Sequence, residues 1–153
     1  RVLFRSISRA KIWGWDTSLN YQTKWFNWDL AYNRTRGKDK SRNGELNAKS
    51  GDWLADISPD TVTSSLDVPL GETGLSAGWV ATFAERAKRV PATYSEQGGY
   101  GVNDFYLSYK GRDRLQGMTT TVVLGNAFDK EYYSPQGVPQ DGRNAKLLVS
   151  YQW

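Results

Sequence analysis

A chain of 153 residues carrying +4 at neutral pH, with neither Cys nor His, has the length of one domain and lacks a disulfide framework, thiolate metal ligands and any Ser-His or Cys-His nucleophile. Mean hydropathy is −0.65, and no apolar run approaches the ~18 residues of a spanning helix. The basic residues would suit nucleic acid, but they cluster at 34–42, 86–89 and 112–114, mixed with acids and without helical periodicity, and read as solvated surface.

Residues 1–6 (RVLFRS) match the translation of the end of a common short-read sequencing adapter. They are expected to be non-native, with native sequence running over 7–153, and are set aside from the fold.

From residue 11 the pattern is strand after strand. In 11–21 (KIWGWDTSLNY), Trp13, Trp15, Thr17, Leu19 and Tyr21 share one face, with Gly14, Asp16, Ser18 and Asn20 opposite. After a brief turn at 22–24, Phe26, Trp28, Leu30 and Tyr32 alternate with Asn27, Asp29, Ala31 and Asn33. The polar stretch 37–58, ended by Pro59, is expected to be irregular. Its Trp53 and Leu54 are candidate anchors for a protein partner; a merely solvated loop is equally open.

Over 61–70, Val62, Leu66, Val68 and Leu70 alternate with Thr61, Thr63, Ser65 and Asp67, and 71–74 (GETG) makes a tight turn. Leu75, Ala77, Trp79, Ala81 and Phe83 form the next apolar face. A polar loop, 86–99, leads to 102–110, where Phe105, Leu107 and Tyr109 oppose Asp104, Tyr106 and Ser108. A compact turn, 111–117, precedes 119–124, whose facing is ambiguous because Val122, Val123 and Leu124 are contiguous. The loop 129–142 feeds a terminal strand, 146–153 (KLLVSYQW), with Leu147, Val149, Tyr151 and Trp153 on one face.

Such an ending would fray or aggregate in water, whereas a transmembrane β-barrel needs an apolar outer face and a closing strand. Seven Trp and nine Tyr suit aromatic girdles. The connections alternate short and long. Counted back from Trp153, every long one falls on the outside of an outer-membrane barrel and every short one in the periplasm. Single-chain bacterial barrels have an even strand number, so about seven antiparallel transmembrane strands are expected to be part of a larger barrel, at its C-terminal end. Leu147, Val149, Tyr151 and Trp153 are then the expected closure strand and assembly signal.

At 124–133 (LGNAFDKEYY) the pattern Asn126, Phe128, Asp129, Lys130, Tyr132, followed by Gly142, Arg143, Asn144 and a terminal aromatic strand, resembles the C-terminal barrel of TonB-dependent outer-membrane receptors. Residues 10–16 (AKIWGWD) are similar to the family's A-x-I-x-G-x-E strand start, with Asp for Glu, and 58–60 (SPD) to its strand entry. Within the family, 123–129 (VLGNAFD), 135–143 (PQGVPQDGR) and 31–38 (AYNRTRGK) look closest to hemophore-type haem receptors. The resemblance implies an all-β barrel of about 22 strands in the outer membrane of a Gram-negative bacterium, filled by a plug. Haem would be delivered by a carrier protein or haemoprotein at the outer loops and imported with energy from the TonB complex. It also implies haem-binding histidines on the plug and an earlier loop, so this segment itself carries no haem ligand, bound cofactor or metal.

The alternatives are a siderophore or ferric-complex receptor and, from another class, a soluble β-sandwich binding carbohydrate on Trp platforms. Trp13, Trp15, Trp28 and Trp79 could serve such a platform, but period two on several strands suits lipid contact. Asp16, Asp29, Asp67 and Asp104 could be imagined as catalytic carboxylates; lumen residues bonded to Arg, Lys and water are the favoured reading, and no enzyme is expected. Lys130, Tyr132 and Tyr133 are expected to set the aromatic rim.

Overall fold

The computed structural model describes residues 10–39, 60–86, 98–134 and 138–153. They form one seven-stranded antiparallel sheet in which each strand pairs with its neighbours in sequence. The strands are β1 (Ala10–Gln22), β2 (Asn27–Asp39), β3 (Asp60–Pro69), β4 (Leu75–Ala84), β5 (Tyr100–Lys110), β6 (Met118–Gly125) and β7 (Asn144–Tyr151). Among the described residues there is a 3-10 turn at Asp113–Leu115 and no helix long and apolar enough to cross a membrane. A sandwich would need a second sheet over the apolar face. Here that face is bare, with Trp15, Leu19, Leu107, Val122, Leu147 and Val149 all exposed, as lipid contact requires.

The register makes the two faces continuous. Tyr21, Trp28, Leu66, Trp79, Phe105 and Leu124 lie in one row across six strands, and Val122 pairs with both Leu107 and Leu147. This resolves the ambiguous strand: Val122 and Leu124 stand with the apolar face, exposed by 49% and 39%, while Val123 pairs with Tyr106 and Lys146 on the other. Leu147, Val149 and Tyr151 lie on the apolar face, and Trp153 follows β7 fully exposed.

Of the positions that break the apolar alternation, Ser64 and Asn103 do so for a visible physical reason. Ser64, Ala81 and Asn103 form one row on the lipid side. The Trp28 indole N–H donates to Ser64 Oγ at 2.9 Å and the Trp79 indole N–H to Asn103 Oδ1 at 2.9 Å, while Ala81 is 0% exposed. An indole N–H without a partner in hydrocarbon would be costly.

The opposite face is more polar, with Val80, Val102, Val123 and Leu148 interspersed, and its polar groups bond to one another. Asn20 donates to Asp29 at 2.6 Å, Asn33 donates to Asp16, and the Ser108 and Thr121 hydroxyls share a 2.9 Å hydrogen bond. Tyr106 lies flat across Gly78, where any Cβ would strike its ring, and donates to Asp67 at 2.7 Å. The carboxylates expected to meet Arg and Lys are thus held by neutral donors, because the facing residues on adjacent strands are amides and hydroxyls.

Two boundaries differ from expectation. β2 continues through Gly37 to Asp39, pairing with Ile12 to Ala10, since a backbone ladder persists as long as its partner strand does, whatever the side chains. β5 starts at Tyr100 and takes in Gly101. The three short turns cluster at one end of the sheet, where Thr23 N–H donates to Phe26 O, Leu70 N–H to Leu75 O and Gly111 N–H to Met118 O. Trp53 and Leu54, the adapter-like residues 1–6 and most of two long connections lie outside the described residues.

Candidate functional site

At the long-loop end, β6 leaves the sheet through Asn126, which takes a positive φ of 47° and is only 3% exposed. Asn tolerates this region better than most side chains. Its backbone N–H donates to Asp104 Oδ1 at 2.7 Å, tying it to β5. Its side-chain amide donates to Lys130 O at 2.8 Å and Asp141 O at 3.2 Å, and its Oδ1 accepts from Lys130 N–H at 2.8 Å. One side chain therefore joins the start, middle and end of the 126–143 connection.

Asp129, at φ 55°, accepts from Arg143 N–H at 2.8 Å, and a Cβ on Gly142 would come within 3.0 Å of that carboxylate. Asn144 closes the motif by donating to Gly142 O at 3.0 Å. Between these ties a bridge pairs Tyr133 with Pro139, and Gln140 N–H donates to Tyr132 O at 3.0 Å. Of the residues expected as a family motif, Asn126, Asp129, Lys130, Gly142, Arg143 and Asn144 meet in one place, with Phe128 and Tyr132 on either side of it. Lys130 and Arg143 contribute backbone N–H groups to it.

The motif's aromatics go to opposite faces. Phe128, 69% exposed, meets Phe105 edge-on at 6.2 Å on the apolar side, whereas Tyr132 packs on Tyr100 at 4.6 Å, over a strand position on the polar side. Tyr132 thus stands at the lumenal mouth rather than on the lipid-side rim. Burial first, then the neighbouring Tyr100, Asp104 and Asp141, raises its pKa, so the phenol is neutral and offers a hydrogen bond. Tyr100 and Asp141 went unrecognised in the sequence, as did the tie of Asp104 to Asn126, because these roles depend on contacts 15 or more residues away.

Replacing Asn126 with Ala is expected to remove the hydrogen bonds it makes to backbone groups of Lys130 and Asp141 and to put Ala at positive φ, costing on the order of 1–3 kcal/mol locally. Faster hydrogen exchange over 126–143, with the strands unchanged, would register it. Unchanged protection would show that the ties are dispensable.

No cluster of His, Cys, Asp or Glu suited to a metal ion occurs among the described residues. Asp16, Asp29, Asp67 and Asp104 are spread over β1, β2, β3 and β5 with separate partners, so they do not form a carboxylate pair.

Residues 2–127 match the family model described as TonB dependent receptor-like, beta-barrel. The chain is 63% identical over 148 residues to a hemin receptor of Yersinia enterocolitica, covering 97% of this chain and 20% of that protein. It is 60% identical to a hemin receptor of Yersinia pestis, covering 97% and 21% respectively. Among solved structures, the copper transporter OprC superposes with a TM-score of 0.78 at 20% identity, over 95% of this chain and 24% of that one. The chain thus spans about a fifth of the length of the sequence relatives it matches.

Proposed function

Because the chain belongs to the TonB-dependent receptor β-barrel family, we propose that it forms part of the wall of a receptor importing haem across the outer membrane of a Gram-negative bacterium. The observation that carries the haem reading is identity of 60–63% to two hemin receptors over nearly the whole chain. The solved transporters, at about 20% identity, bear on the fold alone.

In this reading the seven strands are one arc of a barrel of about 22, whose lipid face is the apolar face described above. Its lumen is lined by the amide, hydroxyl and carboxylate face, which is shaped to meet a polar plug. The outer loops receive haem from a carrier protein or haemoprotein, and the TonB complex, acting through the plug, supplies the energy. The Asn126 ties hold the 126–143 connection rigid at the mouth, and Tyr100 and Tyr132 present aromatic surface and neutral hydroxyls there. Trp53 and Leu54 are carrier-contact candidates from their sequence alone. Haem is cargo in this reading, and this segment offers no histidine to its iron.

The test is growth of a receptor-deficient strain on haem as sole iron source, restored by the full-length receptor and lost again without TonB. Growth restored on ferric siderophores but not on haem would overturn the haem reading and leave the barrel standing. A full-length protein recovered as a soluble periplasmic species would overturn both.

A further inference from the structure

Tyr32 and Tyr106 spend their hydroxyls on carboxylates, those of Asp60 at 2.9 Å and Asp67 at 2.7 Å. Tyr100 and Tyr132 do not. Neither hydroxyl has a hydrogen-bond partner among the described residues, yet both side chains are half-buried and their rings lie 4.6 Å apart at an interplanar angle of 40°. A half-buried phenol ordinarily finds a partner. The bonding of the wall therefore does not account for this pair.

The pair is held in place from the backbone. Tyr100 opens β5 opposite Ala84, on the lumenal face. Tyr132 sits in the 126–143 connection, where its carbonyl accepts from Gln140 N–H at 3.0 Å and the Asn126 amide grips both backbone groups of Lys130 just before it. Val102, next below Tyr100 on that face, and Ala84 beside it are both buried, which gives the rings an apolar base. Deeper on the same strand Asp104 is committed to Asn126 N–H at 2.7 Å, and its charge and that of Asp141 reach Tyr132. The mouth thus carries a fixed aromatic step with acids behind it.

An uncharged aromatic surface recognises another π-system by offset or edge-on contact. Haem is such a plate, and its propionates lie along one edge. Brought against the step by that edge it would meet Asp104 and Asp141; brought by the ring it meets only the tyrosines and their apolar base.

We propose that Tyr132, backed by Tyr100, is a contact for the tetrapyrrole face of haem at the lumenal mouth, with the propionate edge turned away from Asp104 and Asp141. This rests on the haem reading above and names where on this wall the cargo touches.

The test titrates purified full-length receptor in mild detergent with haem and, separately, with metal-free protoporphyrin, following tryptophan quenching. Tyr132→Leu is expected to weaken both by about five- to tenfold, and Tyr132→Phe, which keeps the ring, by less than about twofold. The Soret position of bound haem should not move, because the contact is to the ring and not to the iron. Tyr100→Leu, on the sheet rather than the loop, should weaken both ligands in the same sense and carries the test should Tyr132→Leu fail to fold. Unchanged affinities in a heat-modifiable variant barrel, a loss confined to haem, or an equal loss in Tyr132→Phe would overturn the contact. A wild-type receptor that binds neither porphyrin would instead overturn the haem reading beneath it.

Discussion

Val122→Arg in the full-length receptor is expected to destabilise the barrel by about 2–4 kcal/mol, and Val123→Arg by only a fraction of that. The two residues are chemically identical and adjacent. Val122 stands between Leu107 and Leu147 near the middle of β6, where a guanidinium would enter hydrocarbon. Val123 stands between Tyr106 and Lys146, on the face that carries Asp67, Asp104 and Asp16, where a cation finds water and carboxylates. Denaturant titration of each variant refolded into bilayers measures the difference. Equal penalties, or a larger one for Val123→Arg, would mean that lipid and lumen have been exchanged.

Trp153→Asp is expected to cut the yield of folded, heat-modifiable receptor several-fold, with total synthesis unchanged. Trp153 is fully exposed, its ring 6.2 Å from Tyr151, while Gln152 N–H holds the segment to Gly117 O at 2.9 Å. The tether sets the aromatic at the short-turn end, beside the apolar face of β7, where an interfacial ring is favoured and a carboxylate is not. Trp153→Phe should retain most of the yield. A folded barrel at wild-type yield from Trp153→Asp would remove Trp153 from any part in assembly.

The strands were legible because a barrel wall obeys a two-residue period that no other constraint overrides: Trp13 to Tyr21, Leu75 to Phe83 and Phe105 to Tyr109 alternate cleanly and lie where that period places them. It failed locally where three apolar residues ran together at Val122 to Leu124, since facing there comes only from the register with β5 and β7. Ser64 and Asn103 carried no legible signal of lipid contact, because their presence makes sense only once Trp28 and Trp79 reach diagonally across to them. The loop after β6 was recognisable by its motif but not by its mechanism. Nothing in the order of residues 126 to 143 reveals that one amide spans the connection, or that Asp104 on a separate strand anchors it. Likewise the basic residues at 34–38 read as solvated surface until pairing with β1 put Arg34, Arg36 and Lys38 on the lipid side.

Every strand in this sheet bonds only to the strand before and after it, and that order has a kinetic meaning. Ladder pairing never has to bring together distant parts of the chain, so the entropy of closing large loops is not met strand by strand. Such a wall can grow by successive hairpins, each new strand docking on the exposed edge of the last and covering it before lipid does. The slow, vulnerable moment is then deferred to a single event, the meeting of the two outermost edges, and a lesion within the arc should stall growth at its own position rather than scramble what has already formed.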